Sequence, residues 1–283
     1  MLNKMKNKLK TRGMPKVYYF NLDSDHVRRD FMECQFKKYR ITFERISQSC
    51  YTEKNFYEWA GKLEEYDQLS HYINPDRCFM YAANFLNHIE FMKRWLNNTD
   101  EKYLLIMEDD YDLSLIDYWH FDWKYFMDNL PADWEAVKLN NDSDRMIRFF
   151  LHPNKDFTFG AMLFKRSMVK KIVNMYLNKR GQIIYYKKRL LNIYGIPLID
   201  YYNVDVTLGS LNCIYTLPLF TTEASLCIDD GGNSSKDAFE PIQKTCHQWW
   251  RNERDLFTLD DFFIHDKPYD HLMTLQVNPS QIV

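Results

Sequence analysis

The chain of 283 residues has little net charge, no long apolar run and no paired cysteine motif. Its formal net charge of −2 gives no reason to expect nucleic acid as a partner. No apolar stretch reaches the roughly 18 residues that a transmembrane segment needs, so we expect none. The six cysteines show neither CxxC pairs nor zinc-ligand spacing, and the first residues hold no apolar secretory core. Buried free thiols and a cytoplasmic protein, of bacterial, host-cell or viral origin, are the resulting expectations.

The remaining composition is that of one globular domain. Apolar residues make up 46% of the chain and charged residues 27%, and no internal repeat or low-complexity linker divides it. We therefore predict a single domain over residues 16–283, after a basic tail over residues 1–15. Lysines alternate with apolar residues in this tail, so we expect it to be frayed, with weak contact to an anionic membrane surface as the alternative.

Hydrophobic patterning predicts an α/β fold. Strand patterns at residues 16–20 and 42–47 flank a helical pattern at residues 26–39, a start typical of doubly wound α/β domains. An amphipathic helix is expected over residues 79–96. The further predictions are helices over 116–130 and 167–176, strands over 134–139, 157–164 and 214–217, and loop from 229 onward.

The most informative stretch is an apolar run, Tyr103–Met107, that leads into the acids Glu108, Asp109, Asp110 and Asp112. Such a run predicts a buried central strand, and acids at its carboxyl end lie where open α/β sheets bind ligands. Acids this close repel one another by about 1 kcal/mol per pair, which water or a cation must offset. A solvated acidic turn and a divalent-cation site both fit, because hard cations bind carboxylate oxygens and leave room for phosphate.

Six segments, in order along the chain, carry a resemblance to a known family. They are Asn21-Leu22-Asp23 followed by Arg28 and Arg29, Asn87-His88, the acid-ended strand, residues 130–139, residues 160–167 and Val204-Asp205-Val206. Together they resemble family 25 glycosyltransferases, which include lipopolysaccharide-type and collagen galactosyltransferases. The likeness spans about residues 16–219, whereas residues 52–77 and the end after Phe220 depart from the family pattern.

The resemblance implies a GT-A (Rossmann-like) fold, in which a central mixed, mostly parallel sheet is flanked by helices. It also implies a nucleotide-sugar donor and a divalent cation, commonly Mn²⁺, with Mg²⁺ as the alternative. The expected reaction moves a sugar from a UDP-sugar, such as UDP-galactose, UDP-glucose or UDP-xylose, to a hydroxyl of a glycan or glycoprotein acceptor, with inversion.

The acids and two histidines are the candidate metal ligands. A cation held by Asp110, with Asp112 or Glu108 beside it, would neutralise the charge that develops on a departing diphosphate. A third ligand is expected from the C-terminal loops, where His247 and His265 are the candidates. A surface position is the alternative for each histidine.

The donor would contact the end of the first strand and the start of the next helix. Asp109 suits the hydroxyls of the ribose or the sugar better than it suits the metal. Arg28 or Arg29 would bind the diphosphate through a forked set of donors, with a solvated helix face as the alternative. The residues expected to surround the nucleoside are Asn21, Leu22 and Asp23.

Transfer with inversion needs a carboxylate that accepts the proton of the acceptor hydroxyl. Asp205 is the preferred candidate and Asp200 the second, because the apolar stretch around them would raise a carboxylate pKa. Helix capping or pairing with nearby basic residues is the alternative for both. Trp249 and Trp250 follow His247 and would suit stacking on a sugar face, whereas His88 is expected to be a satisfied buried histidine.

Two other functions fit the same acids. A metal-dependent nucleotide-sugar hydrolase or nucleotidyltransferase would use carboxylates that bridge two metals. A non-catalytic carbohydrate-binding domain is the third hypothesis, against which the concentration of repelling charges argues.

Overall fold

A computed structural model describes residues 7–48, 75–140, 147–153, 160–176, 214–226, 235–263 and 276–277. The helices are α1 Asn7–Lys10, α2 His26–Tyr39, α3 Pro75–Asn98, α4 Trp123–Asp128, α5 Arg166–Tyr176, α6 Ser235–Asn252 and α7 Leu259–Phe263. The strands are β1 Val17–Leu22, β2 Phe43–Gln48, β3 Tyr103–Met107, β4 Tyr111–Asp112, β5 Ala136–Asn140, β6 Ile147–Arg148, β7 His152–Pro153, β8 Met162–Lys165, β9 Ile214–Thr222 and β10 Gln276–Val277. Three short 3₁₀ helices cover Ser114–Tyr118, Ala224–Leu226 and Arg254–Leu256.

One mixed sheet of eight strands forms the centre, in the order β2-β1-β3-β8-β5-β9-β4, with β7 also paired to β9. β1 is parallel to β2 and β3, and β5 is parallel to β9, whereas β8 runs antiparallel between β3 and β5. This confirms the predicted α/β class with a central mixed sheet flanked by helices. Because β1, β2 and β3 run the same way, their carboxyl ends meet at one edge of the sheet.

The first strand–helix–strand unit forms from local signals. β1 is buried along most of its length, and α2 begins after Asp25, whose side chain accepts a hydrogen bond from the Arg28 backbone N–H. α2 ends at Arg40, which has a left-handed backbone with φ of 56°. The predicted strands at both sides of this helix and the helix itself are confirmed.

His88, on α3, is buried against the first strand as expected. Its ring lies 4.1 Å from that of Phe20, and its Nδ1 is 2.8 Å from the carbonyl oxygen of Asn84. Burial lowers the pKa of His88 to about 4. The imidazole is therefore neutral at physiological pH and acts as a packing group.

The helix predicted over residues 116–130 is wrong in its extent. A 3₁₀ helix, Ser114–Tyr118, ends where Trp119 adopts an extended backbone, and α4 begins only after Asp122, which caps it by accepting from the Tyr125 N–H. Trp119 and Trp123 are both buried. The break between the two helices lets both indole rings enter the core.

The strand predicted to stop before Pro218 instead continues to Thr222. The pairing of β9 with β5 shifts register between Lys138 and Asn140, so Pro218 lies in an irregular stretch where its missing N–H is tolerated. Beyond this point, Thr221 and Thr222 pair with β4. The extension places the following residue, Glu223, beside the acids.

The C-terminal region predicted as loop contains α6, an 18-residue helix. Its buried face consists of Ile242, Thr245, Cys246, Trp249 and Trp250. Trp249 stacks on Phe149 at 4.0 Å between ring centroids, and Trp250 stacks on Phe262 at 5.7 Å. Both tryptophans belong to the core, so the expectation that they stack on a sugar is wrong.

Part of the predicted N-terminal tail packs on the domain. The Lys10 ammonium donates hydrogen bonds to the carbonyl oxygens of Ile116 (2.8 Å) and Asp117 (2.9 Å). The Thr11 hydroxyl donates to the carbonyl of Tyr39, and both Lys10 and Thr11 are buried. Lys10 is therefore not part of the basic surface that contact with a membrane would use.

The structure bears on two sequence expectations, those about membrane spans and about cysteines, only within the described ranges. Over these ranges, no helix is long and apolar enough to cross a membrane. The exposed Cys34 and the buried Cys246 form no disulfide.

Candidate functional site

The first group of site residues lies at the carboxyl ends of β1 and β3. The Asn21 amide donates to Asp109 Oδ2 at 2.7 Å, and Arg28 Nη1 donates to Asp109 Oδ1 at 2.9 Å. Asn21 and Asp109 are buried, and Arg28 lies mostly within the fold. We call Asn21, Arg28 and Asp109 the strand-end half of the site. Both carboxylate oxygens of Asp109 are thus engaged by donors from the chain itself.

Arg28 joins this half to its surroundings. Its Nη1 is 3.8 Å from Asp110 Oδ2, its Nε is 3.5 Å from Asp25 Oδ2, and its Nη2 donates to the carbonyl of Leu226. Burial by itself would lower the pKa of the guanidinium, but the charges of Asp110 and Asp109 outweigh burial and raise that pKa. Arg28 is the fixed cation among these acids.

The other predicted donor-binding residues lie around this half. Asp23 is exposed, and it accepts hydrogen bonds from Arg45 Nη2 and Ser47 Oγ, each at 2.7 Å. Hydrogen bonds from Ser47 and Arg45 lower the pKa of the Asp23 carboxyl. Leu22 is half-buried at the strand end. Arg29 contacts His26 and lies 4.0 Å from Asp30, so the described contacts place Arg28, not Arg29, beside the acids.

Glu108 and Asp110 lie beside the strand-end half. Glu108 accepts a hydrogen bond from the Asn84 amide at 3.3 Å. The backbone carbonyl of Asp110 accepts from the Glu223 N–H at 2.6 Å, which ties the acidic turn after β3 to the end of β9.

The second group of residues centres on Asp112 and is completed by α6. His247 Nε2 is 2.8 Å from Asp112 Oδ2. The backbone N–H of Ser114 donates to Asp112 Oδ1 at 2.7 Å, and the Ser114 hydroxyl donates to Oδ2 at 3.0 Å. Burial by itself would raise the pKa of the Asp112 carboxyl, but hydrogen bonds from His247 and Ser114 outweigh it and lower that pKa. Asp112 is therefore ionised at neutral pH, and His247 Nε2 donates the proton between them.

Gln243 and Glu223 extend this group. Gln243 Nε2 donates to Glu223 Oε2 at 3.0 Å and approaches Asp112 Oδ2 at 3.4 Å. The other end of the amide, Oε1, accepts from the Ala224 N–H at 3.2 Å. We call Asp112, Glu223, Gln243 and His247 the helix-facing half of the site.

The Ser114–His247–Asp112 arrangement does not form a nucleophilic triad. Ser114 Oγ and Asp112 Oδ2 both face the same ring nitrogen of His247, at 3.5 Å and 2.8 Å. A triad instead needs the carboxylate on one ring nitrogen and the hydroxyl on the other, so that the imidazole can relay a proton. Serine-based hydrolysis therefore has no support in this geometry.

The Asp112–His247 pair fits one divalent cation by distance and by chemistry. Two ligands bound to one ion at about 2.1 Å and roughly at right angles lie about 3 Å apart, close to the Asp112–His247 separation. Carboxylate and imidazole are both metal ligands. Over the described ranges, however, no three His, Cys, Asp or Glu side chains are placed to hold one ion. Asp110, Asp112 and His247 thus do not form the expected three-residue set.

A glycine supports the turn that carries these acids. Gly160 has φ of +69°, and a Cβ there would lie 2.2 Å from Tyr111 Oη and 2.5 Å from Asn140 Oδ1. Asn140 Oδ1 accepts from the Ala161 N–H at 2.9 Å. The groups that approach Gly160 are side chains of β4 and β5.

Three predicted site residues, Asp200, Asp205 and His265, lie outside the described residues. Other residues of the site were not recognised in the sequence. The unrecognised residues are Arg45, Asn84, Ser114, Glu223 and Gln243. The four-residue spacing of Gln243 and His247 would have indicated a shared helix face, had the helix itself been predicted.

No family model matches the chain, and no curated protein matches it. Among solved structures, the chain is similar to A197 from STIV, with a TM-score of 0.40 and 11% identity over 74% of this chain and 84% of that one. It is also similar to a glycosyltransferase involved in the glycosylation of the major capsid of PBCV-1, with a TM-score of 0.32 and 8% identity. That match covers 81% of this chain and 100% of the other. The functional proposal therefore depends on the residues of the site.

Proposed function

We propose that this protein is a metal-dependent glycosyltransferase with a GT-A-like fold that uses a nucleotide sugar, most simply a UDP-sugar. One observation carries the proposal. The sheet edge where β1 and β3 end gathers Asp109, Asp110 and Asp112, with a fixed cation, Arg28, at one side and a histidine, His247, at the other. The ordered resemblance to family 25 glycosyltransferases supports the same assignment.

Some residues of the site would contact the donor, and others would hold the cation. The exposed end of β1, with Asp23 and its partner Arg45, would receive the nucleoside, and Glu108 and Asp109 would border the ribose and sugar. Asp112 and His247 would hold Mn²⁺ or Mg²⁺, with Asp110 facing the diphosphate side. When bound, the cation would offset the negative charge that develops on the leaving diphosphate.

The chain's own groups then prepare the transfer. Arg28 keeps Asp109 in one orientation through a hydrogen bond of 2.9 Å, which fixes the donor-facing edge before substrate arrives. His247 would hold a cation through Nε2 only in the tautomer that carries its proton on Nδ1, because a metal-bound imidazole nitrogen carries no proton. An acceptor hydroxyl of a glycan or glycoprotein needs a proton acceptor, for which Asp205 or Asp200 is proposed.

A thermal-shift experiment tests the proposal. UDP with MnCl₂ is expected to raise the melting temperature of the wild-type protein, since a ligand that binds only the folded state stabilises it by mass action. Asp110→Ala should abolish the shift, and Asp117→Ala, which changes an exposed acid of the neighbouring 3₁₀ helix, should retain it. An unchanged wild-type melting curve at millimolar UDP and Mn²⁺ would overturn the proposal.

Turnover distinguishes the competing functions. Incubation with a panel of UDP-sugars and Mn²⁺ is expected to release sugar slowly without an acceptor, because transfer to water is a side reaction of a transferase. Full-rate release to water would instead establish a hydrolase. Binding without turnover of any UDP-sugar, in the presence of glycan acceptors, would favour a carbohydrate-binding domain.

A further inference from the structure

His120 lies in the link between the 3₁₀ helix Ser114–Tyr118 and α4, and aromatic side chains enclose its ring. The ring centroids of Phe262, Phe121 and Trp250 lie 4.8 Å, 5.6 Å and 6.5 Å from that of the imidazole. Both ring nitrogens are shielded from solvent, and within the described part of the chain neither has a hydrogen-bond partner. Buried polar groups are nearly always hydrogen-bonded, so packing alone holds this imidazole, and a charge on it would be costly.

The charged groups that face His120 oppose its protonation on balance. Lys10 approaches from α1, and Arg254 and Asp255 approach from the 3₁₀ helix Arg254–Leu256. Arg254 Nε and Asp255 Oδ1 pair with each other at 3.0 Å, so the acid of this group already has a cation beside it. A proton on His120 would therefore join two fixed positive charges and one paired negative charge.

The C-terminal helices bring aromatic rings to His120 rather than an acid that could stabilise its charge. α6 contacts it through Trp250, and α7 contacts it through Phe262. Asp261, next to Phe262 on α7, accepts hydrogen bonds from the Thr258 N–H at 2.6 Å and from the Thr258 hydroxyl at 2.8 Å. This carboxylate is thus occupied at the start of its own helix.

These surroundings make the contact depend on pH. Burial and the charge of Arg254 lower the pKa of His120 to about 4, whereas Asp255 acts in the opposite direction and is outweighed. Asp122, in the same link, is occupied as the cap of α4. Because an exposed imidazole titrates near pH 6.5, the open contact binds a proton more tightly than the closed one does. The closed contact is therefore fully favoured above about pH 6.5 and is lost progressively as the pH falls towards about 4.

His120 lies at the boundary between the core and the C-terminal helices. On one side of the contact, Trp119 anchors the link in the core. On the other side, Trp250 belongs to α6, the helix that also brings His247 to Asp112. An opening of this contact would therefore move His247 away from Asp112.

We propose that His120 is an acid-sensitive switch that controls how α6 and α7 dock on the domain. At neutral pH the uncharged ring packs between the link and the two helices. In acid, a proton from solvent adds to a ring nitrogen, and water reaches the resulting cation once the rings of Trp250 and Phe262 have moved away. The helix-facing half then comes apart with α6. This inference does not depend on the proposed function, because it concerns the docking of helices and not a ligand.

Hydrogen exchange, followed by mass spectrometry on peptides of α6 and α7, tests the inference. After correction for intrinsic exchange rates, the opening constant of these helices should rise about 25-fold from about pH 7.5 to about pH 5, as linkage requires when opening returns the pKa from about 4 to 6.5. His120→Phe keeps an aromatic ring without a titrating group, so the rise should disappear in H120F. A missing rise in the wild-type protein, or a full rise in H120F, overturns the inference.

The same experiment distinguishes local opening from unfolding of the whole domain. At about pH 5, peptides of α6 and α7 should open more readily than peptides of the central strand β5. His88→Leu is the matched control, because His88 has a pKa of about 4 as well but packs against Phe20 of β1. The rise in α6 and α7 should persist in H88L. Equal opening constants in α6, α7 and β5, or loss of the rise in H88L, would show that the acid response is global and would overturn the inference.

Arg254→Met tests the charges around the ring by a second route. Removal of this cation raises the pKa of His120 in the closed contact, so the rise in the opening constant should shrink. Arg251→Met is its control, since Arg251 is an exposed residue of α6 that donates to the Tyr118 hydroxyl, and the rise should be unchanged there. An undiminished rise in R254M overturns the inference, and this variant decides the matter if H120F fails to fold.

Discussion

The two halves of the candidate site hold their acids by different means. In the strand-end half, Asp109 is fixed by a guanidinium and an amide, and the positive charge comes from Arg28. In the helix-facing half, Asp112 is fixed by a hydroxyl, a backbone N–H and an imidazole, and Glu223 by the amide of Gln243. The first half thus has a permanent cation beside its buried acid, whereas a titratable ring is the partner in the second.

This difference indicates what each half can do. A carboxylate bonded to arginine on one oxygen and to an amide on the other is a rigid, preorganised wall, suited to orienting hydroxyl groups. A carboxylate bonded to histidine can exchange the ring proton for a metal ion, because the imidazole nitrogen binds either. Under the proposed function, the donor contacts would fall to the strand-end half and the cation to the helix-facing half.

The largest expected effect is at Gly160. This glycine lies against Tyr111, which stands between Asp110 and Asp112 in the acidic turn after β3. We expect Gly160→Ala to lower the free energy of unfolding by about 4 kcal/mol, because it adds steric overlap to a strained positive φ. The measurement is urea unfolding. Gly13→Ala is the control, since Gly13 also has a positive φ (85°) but its Cβ would meet nothing within 4 Å. It should cost only about 1 kcal/mol, and equal losses in the two variants would contradict the overlap.

Acidification tests the packing of His88 on Phe20, a residue of β1, the strand whose end carries Asn21. The pKa of His88 is lowered from 6.5 to about 4, so the unfolded chain takes up this proton first as the pH falls. The stabilising contribution is therefore complete above about pH 6.5 and is lost towards pH 4, at a cost of about 3 kcal/mol. Urea unfolding at about pH 7 and about pH 4.5 measures it.

His88→Leu is the matched variant for the pH experiment. It should lose less stability on acidification than the wild-type protein does. Some sensitivity will persist, because burial also lowers the pKa of His120 to about 4. An acid response identical to that of the wild type would show that His88 is not the group concerned.

The smallest expected effect comes from removing the fixed cation of the strand-end half. Arg28→Met leaves Asp109 without its charged partner, and we expect a loss of about 2 kcal/mol in urea unfolding, since the pair is largely but not fully buried. Arg29→Met, at the adjacent position, removes a more exposed arginine whose nearest carboxylate, Asp30, is 81% exposed. The Arg29 variant should be close to the wild type, and a larger loss there than at Arg28 would reverse the assignment of the two arginines.

The strand-end half could be predicted from the sequence because its signals are local. An apolar run ended by acids indicates both a buried strand and the edge at which it terminates, and the short polar link after β1 indicates where α2 starts. The parallel pairing of β1 with β3 brings Asn21 and Asp109 to the same edge. What could not be predicted was the bond between them, which joins residues far apart in sequence.

The helix-facing half was only partly predictable, because tertiary contacts assemble it. The apolar spacing of α6 is present in the sequence, but Pro241 and the Gly- and Asn-rich stretch before the helix favoured a loop. Pro241 lies inside the helix with its side chain exposed, and its missing N–H removes one intrahelical hydrogen bond. Glu223 lies near Asp112 because β9 continues past Pro218 and pairs with β4. Neither Gln243 nor Glu223 carries a sequence signal that points to the other.

The contact of Lys10 with the Ser114–Tyr118 helix bears on the order in which the parts of the protein fold. Its ammonium group caps carbonyls of the Ser114–Tyr118 helix across 106 positions of chain, so this contact closes one of the long loops of the molecule. A contact of this separation is favourable only after the intervening strands have met, because closing the loop earlier would cost chain entropy without other contacts to offset it. We therefore expect the N-terminal segment to dock late in folding, onto the 3₁₀ helix that begins at Ser114, close after Asp112.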